Sequence, residues 1–107
     1  AMGMPMYRMR YITAADEKEA EAIATTLVEE RLVACVTMVP VRSVYRWEGA
    51  VQHDTETVLF AKTRADLVER AMARIVELHS YEVPCVLVLP IEAGHKPYLD
   101  WVDEVTG

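Results

Sequence analysis

The stretch LVACVTMVPVRSVYRWEGAVQHDTETVLFAK, Leu32 to Lys62, decides the fold. Its first half, Leu32 to Tyr45, is long and β-branched, a composition that suits a pleated, packed surface. Glu48 and Gly49 then supply a tight turn. Val51 to Lys62 returns, alternating in VQHDTETV before becoming solidly apolar in VLFA. The two runs together predict a long antiparallel hairpin. Pro40 has no backbone N–H for a ladder, so its place in the first run predicts either a bulge or an edge strand.

Upstream of the hairpin, Met6 to Thr13 alternates apolar and polar in the period of a half-buried strand. From Asp16 the apolar positions become Ala20, Ile23, Ala24, Leu27 and Val28, the stripe of an amphipathic helix ending near Arg31. Asp16 and Glu19 have the spacing of an N-cap and its reciprocal partner. Downstream, Thr63 and Asp66 are expected to open a second helix with Leu67, Val68, Ala71, Met72, Ile75 and Val76 on one face, stopping near His79. Val83 to Ile91 reads as a buried strand. GHKPYLDWV begins a third helix, with Pro97 in its first turn and Tyr98, Trp101, Val102 and Val105 on one face. The order β-α-β-β-α-β plus a terminal helix is the pattern of an α+β, ferredoxin-like domain. Residues 1–5 read as a tag or disordered N-terminus, leaving one domain over residues 6–107.

With 107 residues and 52% hydrophobic composition, the chain is sized for a single packed core. Seventeen acidic against eleven basic residues give a formal charge of −6, which attracts cations and argues against a nucleic-acid partner. No apolar run approaches the roughly 18 residues of a membrane span, and no signal peptide is recognisable. Cys35 and Cys85 lie in apolar runs and are expected as buried, reduced thiols, which implies a cytoplasmic address. Two helices can cover one face of a four-stranded sheet, yet VACV, VLFA and CVLVL are apolar on both faces. Self-association through the other face is therefore expected.

Glycine-rich phosphate loops, Cys-x-x-Cys pairs, His-Glu-x-x-His and nucleophile elbows are all missing, so neither an enzyme signature nor an organic cofactor is indicated. In LHSYEVP, Leu78 to Pro84, His79 and Glu82 can bring an imidazole and a carboxylate to one divalent ion such as Cu, Ni or Zn. A histidine in a last helical turn equally suits the helix dipole and unpaired carbonyls. His53 and His95 read as solvated, and Cys35 and Cys85 as soft donors held in reserve for Cu(I). Trp47 beside the charged turn and Lys62 at the end of the return strand can be the wall and cation of a pocket, or an interface anchor and a solvated base. Tyr98 and Trp101 form a packing stripe whose polar tips can line a cleft.

EERLVACVTMVPVRSVYRWEG, ETVLFAKTR and ELHSYEVPCVLVLPIEAGHKPYLDWV together resemble the CutA family, the divalent-cation tolerance proteins, from Tyr7 to Val105. The resemblance implies a ferredoxin-like fold assembled as a homotrimer similar to the PII signalling proteins, in the cytoplasm, with Cu(II) or another divalent cation as ligand and no secure reaction. The copper site it implies uses a cysteine at the end of the first strand and two consecutive histidines after the second helix. Ile12 and Leu78 stand at two of those positions, leaving His79 with help from Glu82 or a neighbouring subunit. It also implies an inter-subunit cleft matched here by Cys35, Trp47, Glu48, Lys62, Tyr81, Tyr98 and Trp101. The leading expectation is a non-enzymatic trimer that binds divalent cations. The alternatives are a PII-like regulatory module taking a small anion at Lys62, Trp47 and Tyr81, and an unrecognised enzyme using Lys62, Glu48 or His79 as acid-base groups.

Overall fold

The hairpin is the longest feature of the computed structural model, which describes residues 6–107; the expected tag, residues 1–5, lies outside the described residues. Strands β2 (Cys35–Trp47) and β3 (Ala50–Arg64) pair without interruption from Cys35↔Lys62 to Trp47↔Ala50. Pro40 faces Thr57 within that continuous ladder, and β2 is an edge strand, so the edge expectation holds and no bulge forms. The connection is the two-residue turn Glu48-Gly49 with φ of 48° and 82°. Both residues are left-handed, the turn geometry whose twist matches that of paired strands.

Strand β1 (Tyr7–Ala14) pairs antiparallel with β3 on one side and β4 (Val86–Ile91) on the other, giving the sheet order β2-β3-β1-β4. Helices α1 (Glu17–Glu29) and α2 (Val68–Leu78) cover one face. Ile12, Ala14, Leu59 and Ala61 of the sheet close against Ala20, Ile23 and Leu27 of α1 and Ala71 and Ile75 of α2. Asp16 caps α1 as its spacing predicts, accepting from the Glu19 N–H at 2.8 Å, while Glu19 Oε1 reaches back to the Ala15 N–H at 2.9 Å. The same helix ends in a left-handed Arg31 (φ 60°), with the Leu32 N–H returning to the Leu27 carbonyl.

The expected opening of α2 at Thr63 and Asp66 is corrected. β3 runs through Arg64, one 3₁₀ turn follows at Ala65–Leu67, and α2 has no side-chain cap. Thr63 stays in the strand because its buried hydroxyl finds the Leu32 carbonyl at 2.7 Å, and Asp66 is exposed beside Arg64. β4 begins at Val86 rather than Val83. The thiols also depart from expectation, since Cys35 is half-buried and Cys85 exposed.

The sheet's second face is not wholly bare. Helix α3 (Lys96–Thr106) lies across one end of it, held by Tyr7 donating to Asp103 at 2.8 Å and by Arg64 and Arg31 donating to the carbonyls of Thr106 and Val105. Beyond α3 an apolar strip remains open, with Val39 39%, Leu87 57% and Leu89 40% exposed. Beneath α2 lies the opposite anomaly, a fully buried Arg10. Its Nη2 donates to the Val68 carbonyl and Nη1 rests 3.8 Å from the Met72 sulfur, while Nε has no partner among the described residues. Burial pushes this guanidinium below its ordinary pKa.

Candidate functional site

The hairpin is longer than the strand beside it. β1 pairs with β3 only as far as Ala14↔Thr57, so Ala50 to Glu56 are held by β2 alone and project as a two-stranded ribbon. Where the ribbon leaves the sheet, the segment 79–85 between α2 and β4 folds against it, and His79 sets its course. The His79 N–H closes α2 on the Ile75 carbonyl. Its ring turns inward, only 8% exposed, where Nδ1 accepts the Tyr81 N–H at 3.0 Å. An accepting Nδ1 leaves the proton on Nε2, which donates to the Thr13 carbonyl at 2.7 Å.

Glu19 adds a second tie, accepting the Ser80 N–H at 2.8 Å. Burial works to raise the Glu19 pKa, but the N–H bonds from Ala15 and Ser80, with the nearby His79, outweigh it and hold the carboxyl below its usual range. The ordered segment then aims Tyr81 at the sheet, where its hydroxyl donates to Glu56 Oε2 at 2.9 Å. Burial first, and then the Glu56 bond, push the Tyr81 hydroxyl far above the ordinary tyrosine value, so it remains a donor.

These contacts border an open recess of about 580 Å³, lined by Tyr11, Tyr45, Trp47 and Tyr81 together with Glu56 and Glu82. Glu56 is 8% exposed and takes one hydrogen bond, from Tyr81, which leaves its second oxygen able to accept another. Among the described residues lining the recess there is no lysine or arginine. Tyr45 is anchored by donating to Asp54 across the ribbon.

The residues singled out in the sequence fall into two groups within one chain. Trp47, Tyr81 and Glu82 line the recess, with Glu48 at the exposed tip of the ribbon. Cys35, Lys62, Tyr98 and Trp101 gather at the α3 end, where the Cys35 sulfur lies 3.4 Å from the Tyr98 hydroxyl and the rings of Tyr98 and Trp101 are 5.6 Å apart. Burial and then the Cys35 contact push the Tyr98 hydroxyl up to about 12. Lys62 donates to Thr37 Oγ1 at 2.8 Å and to the Phe60 carbonyl at 3.2 Å. Lys62 and Glu56 are six residues apart along β3, roughly 20 Å at strand rise, so Lys62 and the recess do not meet in one chain.

Both His79 nitrogens are taken by backbone groups, and Glu82 points elsewhere, to the recess. Ile12 and Leu78, at the other positions of the implied copper site, serve the core. Among the described residues no three His, Cys, Asp or Glu side chains gather to hold a metal. The donor set within one chain thus does not fit a metal ion as it stands. His53 and His95 are exposed, as expected.

Glu56, Tyr45 and Tyr11 escaped the sequence reading. Their signal was parity: Glu56 shares the row of Val58 and Phe60 on the sheet's second face, so an acid occupies a place in an otherwise apolar stripe.

Fold and site define a single-sheet α+β protein, cushioned by helices on one face and offering a recess and an apolar strip on the other. The chain belongs to the family described as CutA1 divalent ion tolerance protein, whose sequence pattern matches residues 8–105. It is 46% identical over 97 residues to the divalent-cation tolerance protein CutA of Thermus thermophilus, covering 90% of this chain and 94% of that one. The structure of the periplasmic divalent cation tolerance protein CutA from Archaeoglobus fulgidus superposes with a TM-score of 0.94 at 40% identity, covering 95% of this chain and all of that one. The human protein CutA is 41% identical over 97 residues, and the match spans 54% of its length. That one of these relatives is described as periplasmic removes the family as support for a cytoplasmic address. Among the described residues no helix is long and apolar enough to cross a membrane.

Proposed function

We propose that this protein acts in divalent-cation handling as a non-catalytic, cytoplasmic homotrimer of ferredoxin-like, PII-like subunits, and that Cu(II) or a similar ion is held by donors from more than one copy. The observation that carries this reading is the exposure of Val39 on one edge of the sheet's second face and of Leu87 and Leu89 on the other, because monomers rarely leave so much apolar surface of one sheet face uncovered. Acidic charge supports the ligand: three chains at −6 each carry −18, which concentrates cations around the assembly. A contact through His79 and Glu82 requires the ring to release Thr13 or Tyr81, and further donors would come from another copy, since no three ligating side chains gather within one chain among the described residues.

The absence of catalysis is supported by the family's being named for tolerance rather than for a reaction. The acid-base candidates also stand apart: Lys62 is bonded at the α3 end, Glu48 sits on an exposed turn and His79 is saturated. A small anion in an inter-subunit cleft would need Lys62 of one copy beside Trp47 and Tyr81 of another, and the acidic recess at that second end argues against it.

Sedimentation equilibrium combined with Cu(II) calorimetry tests the proposal. Wild type is expected at three chain masses with saturable Cu(II) binding, and a Leu87→Glu/Leu89→Glu double variant as a monomer that has lost it. A monomeric wild type, or Cu(II) affinity that survives in the monomeric variant, would overturn the reading.

A further inference from the structure

The helical layer holds an ill-matched pair, Arg10 and Met72, on the side of the sheet opposite the rows read above as covered by other copies. Arg10 is fully buried, and its Nε has no partner among the described residues. Nη2 donates to the Val68 carbonyl, and Nη1 points at the Met72 sulfur from 3.8 Å. A thioether is a weak acceptor, whereas a guanidinium is charged and rich in donors. A buried charge without a strong acceptor is costly. What the pair lacks is an oxygen on the sulfur.

Met72 is placed to acquire one, being only partly buried on α2, so that small solutes reach its side chain. A peroxide oxidises a thioether to the sulfoxide. The sulfur lone pair attacks one peroxide oxygen, an S–O bond forms as the O–O bond breaks, and the departing hydroxide takes the remaining hydroxyl proton and leaves as water. Sulfur loses two electrons and the peroxide gains them. The guanidinium stays charged throughout. The last side-chain bonds of methionine turn freely, which lets the new oxygen swing round to Nη1.

A sulfoxide ordinarily disrupts the packing it enters, because it is polar and finds no donor there. Beside Arg10 the sign reverses. We propose that Met72 is an oxidation site built into the fold: a peroxide converts it to the sulfoxide, which accepts from Arg10 and fastens α2 to the sheet. Neither a second copy of the chain nor a metal ion takes part, so this assignment and the trimer reading fail in different experiments.

Hydrogen peroxide is the probe. The chain carries six methionines, so Met72 is isolated by replacing Met2, Met4, Met6, Met9 and Met38 with leucine, a volume-conserving change. The folded protein is oxidised in chelator, the gain of one oxygen is followed by mass spectrometry, and urea unfolding of the reduced and oxidised forms is compared at one protein concentration. Oxidation is expected to raise the urea midpoint by at least about 0.3 M, the direction set by a new hydrogen bond to a charged group. With Arg10→Leu added, oxidation should instead lower the midpoint by about 0.5 M or more, since the sulfoxide then meets no donor. A second comparison needs neither oxidant nor the leucine background. Met72→Gln puts a carbonyl oxygen on the atom that replaces sulfur, and it should be more stable than Met72→Leu in the otherwise unchanged chain, with the order reversed once Arg10→Leu is present. A Met72 that the folded protein shields from peroxide overturns the proposal. So does a midpoint that falls on oxidation, a shift that is the same with and without Arg10, or a Met72→Leu protein more stable than Met72→Gln while Arg10 is in place.

Discussion

Replacing His79 by alanine separates a structural histidine from a metal-ligating one, because the two roles predict different behaviour when no metal is present. The ring makes two hydrogen bonds in a buried site, to the Thr13 carbonyl at 2.7 Å and from the Tyr81 N–H at 3.0 Å. It also packs against Tyr81 with ring centroids 4.7 Å apart. Each bond contributes about 1 kcal/mol net, and leaving the two backbone groups dry while emptying the ring's volume adds to that, for a total of about 3 kcal/mol. With an m-value near 1.5 kcal/mol/M, the urea midpoint should fall by about 2 M. The assay is urea unfolding of wild type and His79→Ala at one protein concentration in chelator, since assembly makes apparent stability depend on concentration. A midpoint shift under about 0.3 M would refute the structural assignment, because two such bonds cannot vanish at so small a cost. His79→Gln, which keeps a donor and an acceptor, should recover part of the loss.

Arg10→Met should stabilise the protein by about 1–2 kcal/mol, since it removes a buried guanidinium that has no carboxylate partner among the described residues and fills the volume with apolar atoms; thermal or urea unfolding reads the change. Glu48→Asn should gain about 0.5–1 kcal/mol at the left-handed first position of the hairpin turn, measured the same way. The Glu19 carboxyl, held below its usual range, contributes stability that is present above the ordinary carboxylate pKa and lost as pH falls through the lowered value. Urea titrations from neutral pH down into the acid range should therefore show a wild-type decline that is shallower in Glu19→Gln.

Much of the fold was legible because each element carries its own local signal. The Asp16 and Glu19 cap, the α1 stripe, the Glu48-Gly49 turn and Pro97 at the start of α3 act over a few residues, and all appear where the spacing places them. The opening of α2 misled because threonine three residues before an acid has the spacing of a cap wherever it occurs. In the folded chain the Thr63 hydroxyl is claimed by Leu32, thirty-one residues away. The cysteines misled similarly, since an apolar neighbourhood in sequence says nothing of which strand edge or loop end the thiol occupies.

The candidate site divides along the same line. Trp47, Tyr81, Tyr98 and Trp101 stood out by residue type, but their separation into a recess and an α3 cluster follows from strand length. A hairpin of 13 and 15 residues beside an 8-residue β1 must overhang it, and the overhang carries Trp47 away from Lys62. Glu56 became visible only once the register put it on the row of Val58 and beneath Tyr81. His79 drew attention as a ligand, yet its two nitrogens are satisfied by Thr13 and Tyr81. By itself the sequence determined the order of elements, the hairpin, the acidic charge and the apolar rows, all properties of periodicity and composition. Only the tertiary structure decided which polar atoms are spent on the backbone and which face a cavity, because hydrogen-bond partners far apart in sequence are chosen by packing.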